Sequence, residues 1–254
     1  MKSFVMMLSF FTRIPVRAAG SIDEGMYKKG IKWLPVIALM LGAAAGAVSM
    51  LRVWIDPYVT AFLTLLVYLL LTGGLHLDGL ADTMDAFGAN RDRERTLAIM
   101  KDSHIGTFGV AGVCVCIVGM TIMLAGADAG AAWLFPLAGR TAAVLVARCF
   151  ACARPGGLGQ WFVDGVRWTH VAVSAAAYTA AAAVLCAFFA PGFQNLRFAA
   201  LMGAFAAALG AVALIVNRFS RRIGGVTGDM IGFSVEASQL VYLLALRAAV
   251  PLLG

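Results

Sequence analysis

Seven long apolar runs, separated by short polar connectors, decide what this chain can fold into: Trp33 to Leu51, Pro57 to Leu75, Thr107 to Gly126, Ala131 to Phe150, Thr169 to Ala190, Phe198 to Val216 and Ile231 to Leu252. Each approaches the roughly 20 residues at which helical rise matches the hydrocarbon thickness of a bilayer. With 61% of its 254 residues apolar and 13% charged, the chain has too few polar side chains to coat a water-soluble surface. The runs are continuous and rich in Ala, Leu and Gly, whereas barrel strands alternate over about 10 residues. The expected fold is all-α, a polytopic membrane bundle of six or seven transmembrane helices, the last run being the marginal one.

Met1 to Phe11 carries one lysine and a short apolar stretch, as a signal peptide would, but Arg13, Pro15 and Arg17 follow without a cleavage site. It is expected to be retained as an interfacial helix anchored by Phe4, Phe10 and Phe11. The five cysteines all fall in apolar runs and read as helix-packing residues rather than a disulfide framework. Cys149 and Cys152 have CxxC spacing, but no second pair or nearby histidine completes a zinc site.

The net charge of +7 does not point to nucleic acid, because the basic residues form no continuous patch interleaved with aromatics. They follow topology. Seven spans place sixteen on one side, from Lys2, Arg13, Arg17 and Lys28 through Arg91 to Lys101, Arg148, Arg154 and Arg167 to Arg218, Arg221 and Arg222. Three, Arg52, Arg197 and Arg247, fall on the other, and Arg140 stays inside a span. The positive-inside rule assigns the richer side, with the N-terminus, to the cytosol. No repeat or linker divides the chain, which reads as one membrane domain over residues 1–254.

The acidic residues are unevenly spread: of thirteen, Asp78, Asp82, Asp85, Asp92, Glu94 and Asp102 fall within twenty-five positions. Asp78, Asp82 and Asp85, in GGLHLDGLADTMDAFG, have i, i+4, i+7 spacing and share one face if this stretch is helical. Their repulsion is offset if a divalent cation sits against them, and hard oxygen ligands suit Mg²⁺, which completes its shell with water and substrate phosphate. A solvated acidic helix end is the bland alternative. It fits poorly beside Gly73, Gly74 and Gly79, which permit close approach of backbone or ligand.

Asp92 and Glu94 alternate with Arg91, Arg93 and Arg95, a pattern typical of a solvated, internally paired surface. Lys101, Asp102, Ser103 and His104 precede the third span in IMKDSHIGTFG and serve either to hold a phosphate at a helix start or to cap that helix. His76 and His104 flank the acidic run as candidate metal ligands, proton carriers or interfacial hydrogen-bonders, and His170 beside Trp168 reads as structural.

Arg140 lies within a span, where a charge faces the protein interior, a partner or a water-filled cavity. With Arg148 and Arg154, the latter in ARPGGLG, it could line a path for an anionic substrate, since guanidinium pairs bidentately with phosphate; for Arg148 and Arg154 positive-inside anchoring is the alternative. In GGVTGDMIGFSVEASQ, Asp229 follows a glycine-rich turn, and Glu236 lies two helical turns deeper. Glu236 needs a metal or arginine partner, or forms a structural pair with Arg140.

Taken together, FFTRIPV, GGLHLDGLADTMDAFG with IMKDSHIGTFG, GR, ARPGGLG and GGVTGDMIGFSVE, in this order over essentially the whole chain, resemble the cobalamin synthase, or adenosylcobinamide-GDP ribazoletransferase, family. The resemblance implies a Mg²⁺-dependent transferase of the bacterial inner membrane with its active site facing the cytosol. The ribose 3′-hydroxyl of α-ribazole, or of its 5′-phosphate, would attack the cobinamide-side phosphorus of adenosylcobinamide-GDP, giving adenosylcobalamin or its 5′-phosphate and GMP. Catalysis would rest on positioning and charge stabilisation. Asp78, Asp82 and Asp85 would hold Mg²⁺, with Asp82 also a base, and Lys101 and Arg140 would hold phosphates. Asp102, Asp229 and Glu236 would serve a second metal or substrate hydroxyls, with His76, Ser103, His104, Arg148 and Arg154 as further substrate contacts.

Two positions depart from the family pattern. Ala86 stands where glycine usually follows the third aspartate, and Leu77 where some members have an acid. The acidic run also has the look of the CDP-alcohol phosphotransferase signature, an analogy only. Membrane lipid surrounds the chain; other cobalamin-pathway enzymes and a second copy are further partners to expect. A transporter is the alternative class, since intramembrane Arg140 and Glu236 are what ion pathways contain. Against it, the polar motifs crowd one face and no repeat is present. A membrane assembly subunit without activity would leave the clustered carboxylates unexplained.

Overall fold

The computed structural model describes residues 2–16, 22–127, 129–189 and 194–249. Met1, Arg17 on the cation-rich side, and the ends expected for two spans at Ala190 and Leu252 lie outside the described residues. Among the described residues the secondary structure is helical: α1 Lys2–Phe11, α2 Glu24–Gly30, α3 Leu34–Ser49, α4 Pro57–Thr72, α5 Leu75–Gly88, α6 Arg93–Ile99, α7 Thr107–Gly126, α8 Ala129–Cys149, α9 Gly157–Gly165, α10 Trp168–Phe189, α11 Gln194–Ile223 and α12 Gly228–Ala249. Six helical stretches are long and apolar enough to cross a membrane. The run that includes α4 reaches that length only together with α5, from which it is bent by 93°.

That bend has a local cause. Gly73 ends α4 with φ 65° and Gly74 precedes α5 with φ 69°, two consecutive left-handed residues that glycine adopts without strain. We therefore read α4 as the span and α5 as a helix turned across its end. The backbone N–H of Arg13 donates to the Leu71 carbonyl at 2.6 Å, tying the segment after α1 to this corner.

Helix α8 is the centre of the bundle, 89% of its most apolar stretch being buried, and α12 follows at 67%, against 22% for α10. The last run, marginal by hydropathy, is thus a well-enclosed helix. Its polarity comes from Ser234, Glu236, Ser238 and Gln239, all buried against the protein rather than exposed to lipid. Helix α3 meets α8 through Gly42 and Gly46, which leave room for the Trp133 carbonyl and ring, the small-residue packing that membrane helices use in place of a hydrophobic driving force.

Helix α1 packs inward. Phe4 meets Trp33 edge-on at 5.4 Å, Phe10 meets Tyr27 at 5.7 Å and Phe11 stacks on His76 at 5.9 Å. The three rings expected as lipid anchors thus have protein partners. Protein surface lies within their reach because α2 and the N-terminal end of α5 come up beside α1.

Candidate active site

Small residues bring the two halves of the site together. Helix α5 crosses α12 so closely that a Cβ on Gly79 would stand 2.6 Å from the Asp229 carbonyl oxygen and 3.2 Å from the Gly232 Cα. A Cβ on Gly159 would stand 2.8 Å from the Gly228 nitrogen, so the start of α9 is pressed onto the start of α12 as well. The loops before these helices are stitched in parallel: Val226 N–H donates to Ala151 O and Ala153 N–H to Val226 O, both at 2.8 Å. Segments far apart in sequence thereby meet at one end of the bundle.

Asp78, Asp82 and Asp229 face this junction. Burial and the negative charges of Asp78, Asp229 and Asp85 push the Asp82 carboxyl up to about 6, because the folded chain concentrates carboxylates around a partly desolvated group. Arg154 donates from Nη2 to Asp229 Oδ2 at 3.0 Å, and its Nη1 is buried with no hydrogen-bond partner among the described residues. The Thr227 hydroxyl lies 3.3 Å from the same Asp229 oxygen. No three His, Cys, Asp or Glu side chains among the described residues stand close enough to enclose a metal ion by themselves.

Asp85 has a different geometry from its two neighbours. Its oxygens accept N–H groups from Gly106 at 2.7 Å and Gly109 at 2.8 Å, so it caps the N-terminus of α7 from a neighbouring helix. The glycines of IGTFG are required by this contact: a Cβ on Gly106 would lie 2.5 Å from an Asp85 oxygen. Ala86 beside it is fully buried.

Behind the carboxylates lies a cavity of about 200 Å³ whose lining includes Phe11, Tyr27, His76, Asp78, Arg140 and Asp229. Arg140 and His76 are buried, with relative exposures of 2% and 6%. Arg140 donates from Nη1 to the Tyr68 hydroxyl at 2.9 Å, Gln239 Nε2 donates to the same oxygen at 2.8 Å, and Tyr68 donates to Glu236 Oε1 at 3.3 Å. His76 Nδ1 stands 3.9 Å from that Glu236 oxygen. Arg140 and Glu236 are therefore coupled through a tyrosine that motif reading passed over. A tyrosine hydroxyl in the middle of an apolar run needs a partner, and that was the available signal.

Glu236 lies in this network rather than among the α5 carboxylates. Lys101, Asp102, Ser103 and His104 are exposed on the loop before α7. Asp102 accepts from His104 N–H at 3.0 Å and pairs with its ring Nδ1 at 2.6 Å, which holds the Asp102 carboxyl below its ordinary range. Arg148 is exposed over the Trp168 ring at 5.0 Å, and His170 Nδ1 accepts the Arg167 N–H at 3.0 Å, a structural contact.

The charged run from Arg91 to Arg95 is not only a solvated surface. Asp92 caps α6 by accepting the Arg95 N–H at 2.8 Å. Arg93 reaches across to the carbonyls of Ile223, at 2.8 Å, and Ala153, at 3.1 Å. The last turn of α11 leaves acceptors unfilled, and a guanidinium satisfies them while bracing both site loops.

A family model described as cobalamin-5-phosphate synthase matches residues 3–247. An adenosylcobinamide-GDP ribazoletransferase of Alkaliphilus oremlandii is 34% identical over 255 residues, with 96% of each chain covered. One from Clostridium acetobutylicum is 33% identical over 253 residues, covering 97% of this chain and 96% of the relative. One from Escherichia coli K12 is 36% identical over 255 residues, covering 96% and 99%. No solved structure matches the chain.

Proposed function

Because the chain belongs to the cobalamin-5-phosphate synthase family and works as an adenosylcobinamide-GDP ribazoletransferase, we propose that the carboxylate junction of α5 and α12 is where its nucleotide loop is joined. One observation carries the placement: the backbone contact of Gly79 with α12, which sets Asp78 and Asp82 beside the Asp229–Arg154 pair. The ribose 3′-hydroxyl oxygen of α-ribazole, or of its 5′-phosphate, forms a bond to the cobinamide-side phosphorus. The bond from that phosphorus to the bridging oxygen breaks, and GMP leaves with the oxygen. The hydroxyl proton passes to a carboxylate.

Asp82 is the proton acceptor in this reading, since a carboxyl pushed up to about 6 is a better base near neutral pH than an ordinary aspartate. The donor set fits Mg²⁺. That ion commonly takes only one or two protein carboxylates with water and substrate phosphates, so Asp78 can hold it while Asp82 is left to accept the proton. When bound, it would neutralise charge on the pyrophosphate and on departing GMP. Arg154, with Nη1 free, supplies a donor to a phosphate oxygen. Lys101 stands on the adjoining loop as a further cation, Asp85 holds the start of α7, and Glu236 is the counter-charge of Arg140. We place the junction on the cytosolic face of the bacterial inner membrane, in keeping with sixteen cations on that side against three.

The test uses purified protein in lipid nanodiscs with Mg²⁺, adenosylcobinamide-GDP and α-ribazole 5′-phosphate. GMP and the joined corrinoid should form in equal amounts, stop with a chelator and resume with added Mg²⁺. Absence of GMP under conditions that support the Alkaliphilus relative would overturn the assignment. Turnover indifferent to chelation would overturn the metal.

A further inference from the structure

Arg140 brings an unfinished hydrogen-bonding demand to the inner end of the cavity. Its Nε and Nη2 have no hydrogen-bond partner among the described residues although the side chain is almost wholly buried. Leaving such donors buried and unfilled is costly, so an occupant with an acceptor is favoured there. The surrounding walls are apolar and largely aromatic, from Phe10, Phe11, Tyr27 and Phe162, with Ala143 and Val235 close by. The exposed residues Leu75, Asp78 and Gly228 mark the mouth.

Charge and size decide what can enter. Arg140 already has Glu236 as its counter-charge through Tyr68, and Asp78 and Asp229 line the cavity, so an anion reaching the inner end would be uncompensated in a low-dielectric interior. A space of about 200 Å³ is below the roughly 300–1,000 Å³ of pockets for drug-sized ligands, which excludes a corrin ring. Guanine would bring several N–H donors, whereas the carboxylates that line the cavity, Asp78 and Asp229, are the less buried part of its wall and the remainder is mostly apolar.

We propose that this cavity receives the base of the incoming riboside: a neutral, flat, bicyclic heteroaromatic ring with a single acceptor nitrogen, its apolar faces against the aromatic walls and its nitrogen towards Arg140. Arg140 is then a specificity group for the base, and the ribose emerges beside Asp78 and Asp229, where its hydroxyl meets Asp82. The inference rests on the ribazoletransferase reading and adds to it a subsite.

The probe is 5,6-dimethylbenzimidazole, the base that α-ribazole carries, used with the wild-type protein in nanodiscs. It should inhibit competitively against α-ribazole and not against adenosylcobinamide-GDP. Competition against the corrinoid nucleotide, or no inhibition, overturns the subsite. Ala143→Leu, which narrows the cavity, should raise the KM for α-ribazole about tenfold and shift preference towards the riboside of unsubstituted benzimidazole, with the KM for the corrinoid unchanged. A KM change falling on the corrinoid instead also overturns it. Should the wild-type protein release no GMP, the ribazoletransferase reading fails on its own. The subsite is then judged by whether the free base alone raises the melting temperature of the wild-type protein, no rise counting against it.

Discussion

Gly79 and Gly232 lie against each other on α5 and α12, with the space for one Cβ already taken by the Asp229 backbone. The spacing between the α5 carboxylates and the Asp229–Arg154 pair therefore depends on the absence of a methyl group. Gly79→Ala should push the helices apart, lower stability by about 1–3 kcal/mol and cut turnover by about 100-fold. Gly203→Ala, inside α11 where a Cβ meets nothing within 4 Å, is the control and should lower neither. Melting curves and GMP release measure both, and normal turnover in Gly79→Ala would remove the close contact from the account.

Asp85 and its neighbours should separate by experiment. Asp85→Ala removes two bonds that cap α7 and should lower stability by about 1–2 kcal/mol while Mg²⁺ still binds. Asp78→Ala should leave the melting temperature intact and weaken Mg²⁺ binding, read by titration of the metal against thermal stability. The reverse pattern would make Asp85 the ligand and Asp78 the structural group.

Asp82 should make the protein less stable as pH rises. Its folded carboxyl, at about 6, lies above the ordinary value of 3.8, so the folded state holds the proton more tightly than the unfolded chain. Between those values stability falls with rising pH, and above about 6 the full penalty of a crowded carboxylate is present. Asp82→Asn is free of it. In Mg²⁺-free buffer the variant should melt above the wild type at pH 7.5, with the difference closing as pH drops towards 4. A difference independent of pH would rule out carboxylate crowding as its cause.

The sequence carried the spans and the acidic face of α5, because hydropathy and charge are summed along a chain, and it singled out Arg154 and Asp229, which the structure pairs at 3.0 Å. It did not separate Asp85 from Asp78 and Asp82, since helical spacing tells which side chains share a face but not which backbone N–H groups wait opposite. Arg93 escaped for the same reason: its partners are main-chain carbonyls at Ile223 and Ala153, which have no residue signature. The marginal hydropathy of α12 reflected polar groups turned towards α8 and its neighbours, a distinction that a count of apolar residues does not make.

Glu236 and Arg140 should behave as a unit. Glu236→Leu leaves a buried guanidinium without counter-charge and should destabilise the protein by about 3–5 kcal/mol. Adding Arg140→Met should recover most of that loss, whereas independent roles would make the two losses additive in a double-mutant cycle. Tyr68→Phe deletes the shared hydroxyl and should fall between wild type and Glu236→Leu.

The cavity also imposes a timetable on the reaction. Its inner end is formed by Arg140, Ala143 and Val235 and its exposed rim by Asp78 and Gly228, so whatever occupies the depths must arrive before the rim is covered. A bulky corrinoid nucleotide at the carboxylates would bar a later riboside. With the proposed base subsite filled first, the riboside would lead in an ordered mechanism, and the joined product would withdraw its own base as it departs.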